Sequence, residues 1–98
     1  MFVTARQLAR AHRSEFDEFL DASLLVVDDL GAEILDDRFV SDFDELVDQF
    51  YQRSAGLVIT TNCTAKDFRA RYGARVVDRL LERGEWIGVS GKSMRSPA

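Results

Sequence analysis

Two kinds of hydrophobic pattern alternate along this chain. Phe43, Leu46, Val47, Phe50 and Tyr51 recur at i, i+3, i+4, i+7 and i+8, the apolar stripe of an amphipathic helix. On either side of that stripe lie short apolar runs with no alternation. Leu24-Leu25-Val26-Val27 ends abruptly in Asp28-Asp29, and Leu57-Val58-Ile59-Thr60-Thr61 ends at Asn62. Runs of this kind suit strands buried on both faces, as in a parallel sheet.

Local signals place the remaining elements. Thr4 and Gln7 have capping-box spacing, so a helix is expected to begin there, with Phe2-Val3 as the tail of a preceding strand. Ser14 to Ala22 reads as a second short helical or loop segment with Phe16, Phe19 and Leu20 on one side. Gly31 permits a turn after the first apolar run. Ser41 with Asp44 is expected to open the long helix, and Gly56 breaks it. Thr64 with Asp67 caps a short helix that stops at Gly73. A further helix is expected from about Ala74 to Arg83, with Val76, Val77, Leu80 and Leu81 inward, closed by Gly84. Trp86-Ile87-Gly88-Val89 reads as a last short strand before a polar tail, Ser90 to Ala98. Helices and strands that alternate with short connections predict an α/β fold with a mainly parallel sheet.

Composition narrows the class. With 98 residues and 46% hydrophobic content the chain is one small domain at most, too apolar to be disordered. No unbroken run of about 20 apolar residues offers a membrane span. The polar positions Thr4, Arg6 and Gln7 interrupt any signal-peptide stretch at the N-terminus. Cys63 is the one cysteine and reads as a plain buried thiol, and no Cys/His cluster has zinc spacing. A cytoplasmic location is the expectation.

Charge changes the picture further. The net charge of −4 is divided into +3 over residues 1–13, −11 over residues 14–54 and +4 over residues 55–98. Either this split produces solvated helix faces of opposite sign, or it serves a head-to-tail assembly or an anionic ligand held by the basic half.

Three constellations could carry chemistry. Asp28 and Asp29 end a strand, either as a plain polar turn or as a site, since ligands of open α/β sheets bind at the carboxyl ends of strands. Carboxylate oxygens suit Mg²⁺, and a neighbouring carboxylate can orient and deprotonate a water for attack on a phosphoryl group. Asn62 ends the other long strand, where its amide could bond a phosphate oxygen and the attacking water, or serve simply as a turn residue. Arg75, Arg79 and Arg83 share one helix face, and guanidinium matches phosphate oxygens with two parallel hydrogen bonds. The alternative for that face is solvated pairing to Asp78 and Glu82, expected above all for Arg83. Arg95, past the last expected strand, is a weaker candidate of the same type. His12 reads as a surface residue. Ser90-Gly91-Lys92-Ser93 ends like a phosphate loop, but position 86 is Trp where that loop requires Gly.

In order and spacing, Asp28-Asp29-Leu30-Gly31-Ala32-Glu33, Thr60-Thr61-Asn62 and Arg71-Tyr72-Gly73-Ala74-Arg75-Val76-Val77-Asp78-Arg79-Leu80-Leu81 form one series. It resembles the C-terminal half of the AAA+ ATPase module of bacterial helicase loaders of the DnaC and DnaI type, with the IstB-like transposition helpers close by. The resemblance runs from about Phe2 to Arg95 and implies part of a P-loop NTPase three-layer sandwich with a mainly parallel sheet. It implies that residues 1–98 are the C-terminal portion of such a domain, with ATP and Mg²⁺ as cofactors. By resemblance Asp28 serves Mg²⁺ and Asp29 activates water in a Walker B strand, and Asn62 is the sensor 1 residue. Arg79 is then the arginine finger that reaches a neighbouring subunit's nucleotide, with Arg75 one turn earlier, and Arg95 lies where sensor 2 does. The implied partners are further copies of the chain or a full-length AAA+ relative, a replicative helicase and single-stranded DNA, for which Arg6, Arg10 and Arg13 are candidate contacts.

The departure from that family is equally specific. No Gly-x-x-x-x-Gly-Lys-Ser/Thr loop occurs in the sequence, and the chain is expected to start near the end of the module's second strand. In the family's strand order, 5-1-4-3-2, the strand before the phosphate loop lies between the sensor 1 strand and the last strand, so both neighbours are expected to have unpaired edges. The expectation is a truncated helicase-loader-like ATPase that does not hydrolyse ATP alone. The alternatives are an IstB-like transposase helper and a non-catalytic fragment that docks through its sheet edges. A receiver-like domain is the least favoured alternative, because only 69 residues follow Asp29 and the second long strand ends in Asn62 rather than a phosphorylatable Asp.

Overall fold

The computed structural model describes residues 1–84; the expected strand Trp86–Val89, the polar tail and Arg95 lie outside them. In chain order the elements are β1 (Phe2–Thr4), α1 (Ala5–Arg10), α2 (Arg13–Leu20), β2 (Leu24–Leu30), α3 (Asp37–Arg53), β3 (Gly56–Thr61), α4 (Ala65–Tyr72) and α5 (Ala74–Arg83). The three strands form one parallel sheet in the order β1-β2-β3. This is the α/β class that the alternating pattern predicts. Among the described residues no helix is long and apolar enough to cross a membrane.

Local chemistry sets the boundaries. The Thr4 hydroxyl accepts from the Gln7 amide at 3.1 Å, and the Gln7 side chain accepts from the Thr4 amide at 3.0 Å, so the capping box forms as expected. The Thr64 hydroxyl accepts from the Asp67 amide at 3.1 Å at the start of α4. The long helix departs from expectation. It starts at Asp37, where Asp36 Oδ1 accepts from the Phe39 amide at 2.8 Å, and it runs straight through Ser41 and Asp44. The competing cap therefore wins five residues earlier, and Phe39 joins the buried stripe with Phe43, Leu46, Val47 and Phe50.

One face of the sheet carries the core. Val3, Val27 and Ile59 are in register across the three strands; Val3 and Val27 are buried and Ile59 packs against the core. The adjacent row, Phe2, Val26 and Val58, lies on the other face, where Phe2 is 63% and Val58 48% exposed. The expectation of strands buried on both faces is thus corrected within the described residues. Parallel strands joined through helices cross over right-handedly, and β1 to β2 and β2 to β3 step in the same direction along the sheet. Their helices consequently gather on one face. α5 packs on α3 and α4 through Val76 and Val77, and Leu81, expected inward, is 46% exposed. The outer edge of β3 has no strand partner among the described residues.

Candidate functional site at the carboxyl ends of β2 and β3

A bulge creates the site. From Val27 to Leu30, β2 advances three residues while its partner β3 advances two, from Ile59 to Thr61. Strict alternation after the buried Leu25 and Val27 would turn Asp29 into the core. The extra residue instead puts Leu30 inside, at 1% exposure, and leaves Asp29 exposed. Asp29 itself takes the left-handed backbone conformation that this requires, with φ of 63°, which Asp tolerates better than most residues.

Two hydroxyls of β3 pin the bulge. Thr60 Oγ1 donates to Asp28 Oδ1 at 2.6 Å and accepts from the Asp29 amide at 2.8 Å, so one side chain orients the Asp28 carboxylate and holds the Asp29 backbone. Thr61 Oγ1 donates to the Leu30 carbonyl at 2.6 Å and accepts from the Cys63 amide at 3.1 Å. Asn62 is exposed in the turn between these anchored residues. The structure therefore gathers Asp28, Asp29 and Asn62 at the same end of adjacent strands. Thr60 and Thr61 carry no separate signal in the sequence, where two threonines at a strand end are unremarkable β formers.

Behind the bulge the turn is closed by Gly31 and Glu33. Gly31 has φ of 111°, and a Cβ there would stand 3.0 Å from Cys63 Sγ, so a side chain would meet both strain and crowding. Glu33 is 4% exposed, the one polar side chain among the buried residues described. Its carboxylate accepts from the Gly31 amide at 2.8 Å, from the Tyr72 hydroxyl in a short hydrogen bond, and from Arg71, with Nη2 at 3.5 Å. Burial, followed by the Glu33 contact, pushes the Tyr72 hydroxyl well above its ordinary value. Glu33 belongs to the motif series, but nothing in its spacing shows that it is buried or what it bonds.

The arginines of α5 do not make the alternative pairing to Asp78 and Glu82 but turn to α3. Arg79 makes a close ion pair with Asp48 of α3, and its guanidinium lies 5.2 Å from the Tyr51 ring centroid. Arg75 lies 3.7 Å from Asp44 and 3.8 Å from Asp48. Arg83 donates to the Tyr51 carbonyl, whereas Asp78 pairs with Arg69. Of the N-terminal arginines, Arg13 bonds Asp17 and Glu45, each at 3.0 Å, and Arg6 donates to the Ala32 carbonyl at 3.2 Å. Arg10 and His12 are exposed, and Cys63 is a free, partly buried thiol. A groove of about 380 Å³ follows β3 between α3 and α5, lined in part by Tyr51, Val58, Arg79 and Leu80. None of Asp28, Asp29 and Asn62 lines it. The strand ends carry the two carboxylates and the Asn62 amide, whereas the groove is bordered by Arg79 and Arg83.

What these strand ends can hold follows from their donor set. Among the described residues no group of three or more His, Cys, Asp or Glu side chains converges as a metal cage. Two neighbouring carboxylates, one already oriented by a hydroxyl, fit a cation such as Mg²⁺, which is commonly held by one or two carboxylates and completes its shell with water and phosphate oxygens.

Comparison with known proteins decides the family. The family model described as "IstB-like ATP binding protein" matches residues 3–97, nearly the whole chain. The chain belongs to the IstB-like ATP-binding protein family. No curated protein matches it. Among solved structures it is similar to one titled "Crystal structure of the DnaC helicase loader", with 22% identity and a TM-score of 0.72 over 86% of this chain. The match covers 58% of the helicase loader's chain, so the IstB-like chain shares the fold of part of that protein. The fold class and the family resemblance read from the motif series are thereby borne out.

Proposed function

We propose that this IstB-like chain supplies the hydrolysis side of an ATP site, as a helicase-loader-like AAA+ fragment. The observation that supports this most directly is the β2 bulge, which presents Asp28 and Asp29 beside the Asn62 turn. In this reading Asp28 holds Mg²⁺, which would neutralise developing phosphate charge when bound. Asp29 accepts a proton from the attacking water, and Asn62 orients that water and a phosphate oxygen. Arg79, with Arg75 behind it, acts across an interface on a neighbour's nucleotide, and Arg95 contacts the nucleotide from the C-terminal side. Arg79 must leave Asp48 to do so.

The nucleotide-cradling loop is absent from these 98 residues. Backbone amides and the lysine of such a loop provide much of the affinity for triphosphate. The isolated chain is therefore proposed to bind ATP weakly and to act with a partner that has the loop, either a second AAA+ protein or a longer form of itself. Replicative helicase and single-stranded DNA are the proposed partners of the assembly, in the cytoplasm. Equilibrium binding of labelled ATP with Mg²⁺ tests the reading: no saturable binding below millimolar ATP is expected. Micromolar binding by the chain alone would overturn its dependence on a partner. A transposase gene beside the coding sequence would favour the second reading, an IstB-like transposition helper.

A further inference from the structure

The buried Glu33 network joins two parts of the chain that lie 38 or more residues apart. At one end is the turn that follows the Asp28-Asp29 bulge: Glu33 accepts from the Gly31 amide, and the Ala32 amide closes onto the Asp29 carbonyl at 3.2 Å. At the other end are Arg71 and Tyr72, the last two residues of α4. Arg71 Nη2 donates to the Glu33 carbonyl at 2.8 Å and Nε donates to the Tyr72 hydroxyl at 3.0 Å, so main chain and side chain of Glu33 are both gripped. The next residue, Gly73, has φ of 101° and nothing within 4 Å of a notional Cβ, and α5 starts immediately after it. The clamp thus sits directly against the α4–α5 hinge. A buried carboxylate is costly to maintain unless its partners are held, so both ends of such a network are constrained together.

We propose that Glu33 is a positioning residue that ties the turn behind Asp28 and Asp29 to the α4–α5 hinge, so that these carboxylates and the arginines of α5 shift as one unit. The roles of those carboxylates and arginines rest on the reading above, whereas the tie itself does not. A purely structural Glu33 would stabilise the whole fold or one local turn. A coupling Glu33 links two distant segments and leaves the rest alone.

Residue-resolved hydrogen exchange on the full 98-residue chain separates these cases. Tyr72→Phe keeps the ring among Phe43 and Phe68 and removes only the hydroxyl from Glu33. Exchange is expected to accelerate at least tenfold at Gly31 and Ala32 and also at Val77–Leu80. Amides of Leu25–Val27 and of Phe43–Phe50 are expected to stay within threefold. Acceleration at one segment alone, or an equal rise at every amide, would overturn the proposal. Glu33→Gln preserves shape and replaces one of the carboxyl oxygens that accept from Gly31, Arg71 and Tyr72 with an amide donor, and it should reproduce the paired rise; if Tyr72→Phe does not fold, this variant decides by the same map. No nucleotide enters the measurement, so failure of the ATP-site reading would appear only in the binding experiment.

Discussion

At the residue scale, a single extra residue in β2 decides that Asp29 faces solvent and Leu30 the core. Asp29 occupies a left-handed conformation that a β-branched side chain resists by roughly 1–2 kcal/mol. Asp29→Val is expected to destabilise the chain by about that amount, and Asp29→Gly to leave it equal or slightly more stable, as measured by urea denaturation. If Asp29→Val is tolerated without cost, the bulge is not held in that conformation. Thr60 makes the same point from the partner strand. One hydroxyl orients the Asp28 carboxylate and satisfies the Asp29 amide, so the acids of the site are arranged by β3 as much as by their own strand.

At the element scale, α3 shows how competing caps are resolved. Both Asp36 and Ser41 can accept from an amide three residues on, but only Asp36 stands where the chain enters the helix, and the earlier start buries Phe39 against Phe43. Asp36→Ala is expected to cost about 1 kcal/mol, the usual worth of an N-cap. Ser41→Ala, on an exposed face within the helix, should change stability by less than about 0.5 kcal/mol. Equal effects of the two substitutions in thermal melts would contradict the observed helix start. The stripe itself is the main energetic contribution of α3. Phe43 is fully buried and packs on Phe39 and Tyr72, so Phe43→Ala is expected to cost about 3–5 kcal/mol, enough to leave a domain of this size largely unfolded by circular dichroism.

At the scale of the whole molecule, the division of charge along the sequence acquires a different meaning. The acidic middle and the basic ends fold against each other: Arg13 meets Glu45, and Arg75 and Arg79 meet Asp44 and Asp48. Much of the split is therefore neutralised within one chain, rather than left as two solvated faces. The arginine proposed to act on a neighbour is held at home by Asp48 and stacked near Tyr51. The buried network gives the molecule an alkaline limit as well. The folded state holds the Tyr72 proton more tightly than the unfolded chain, so its contribution to stability is complete below the ordinary tyrosine value near 10 and declines as pH rises past it. Between pH 8 and 10.5 the wild-type urea midpoint should fall further than that of Tyr72→Phe; parallel falls would show that Tyr72 is not the responsible group.

Much of this protein was legible in its sequence because the signals are local. The caps at Thr4 and Thr64, the apolar stripe of α3 and the break at Gly73 depend on neighbours within four residues, so they predict most elements and the α/β class; the break expected at Gly56 comes earlier, with α3 ending at Arg53 and Ser54 in the left-handed conformation. The ordered motif series likewise points to the ATP-binding family through Asp28, Asp29 and Asn62. What the tertiary structure alone decides depends on partners 30 or more residues away. The bulge exists because β3 is one residue shorter over that stretch, and the open face of the sheet exists because both crossovers step the same way. Glu33 is buried because Arg71 and Tyr72 reach it from α4, and Arg79 faces Asp48 because α5 packs on α3. A sequence can state that a carboxylate is present; only the packed chain determines whether it meets water, an amide or an arginine.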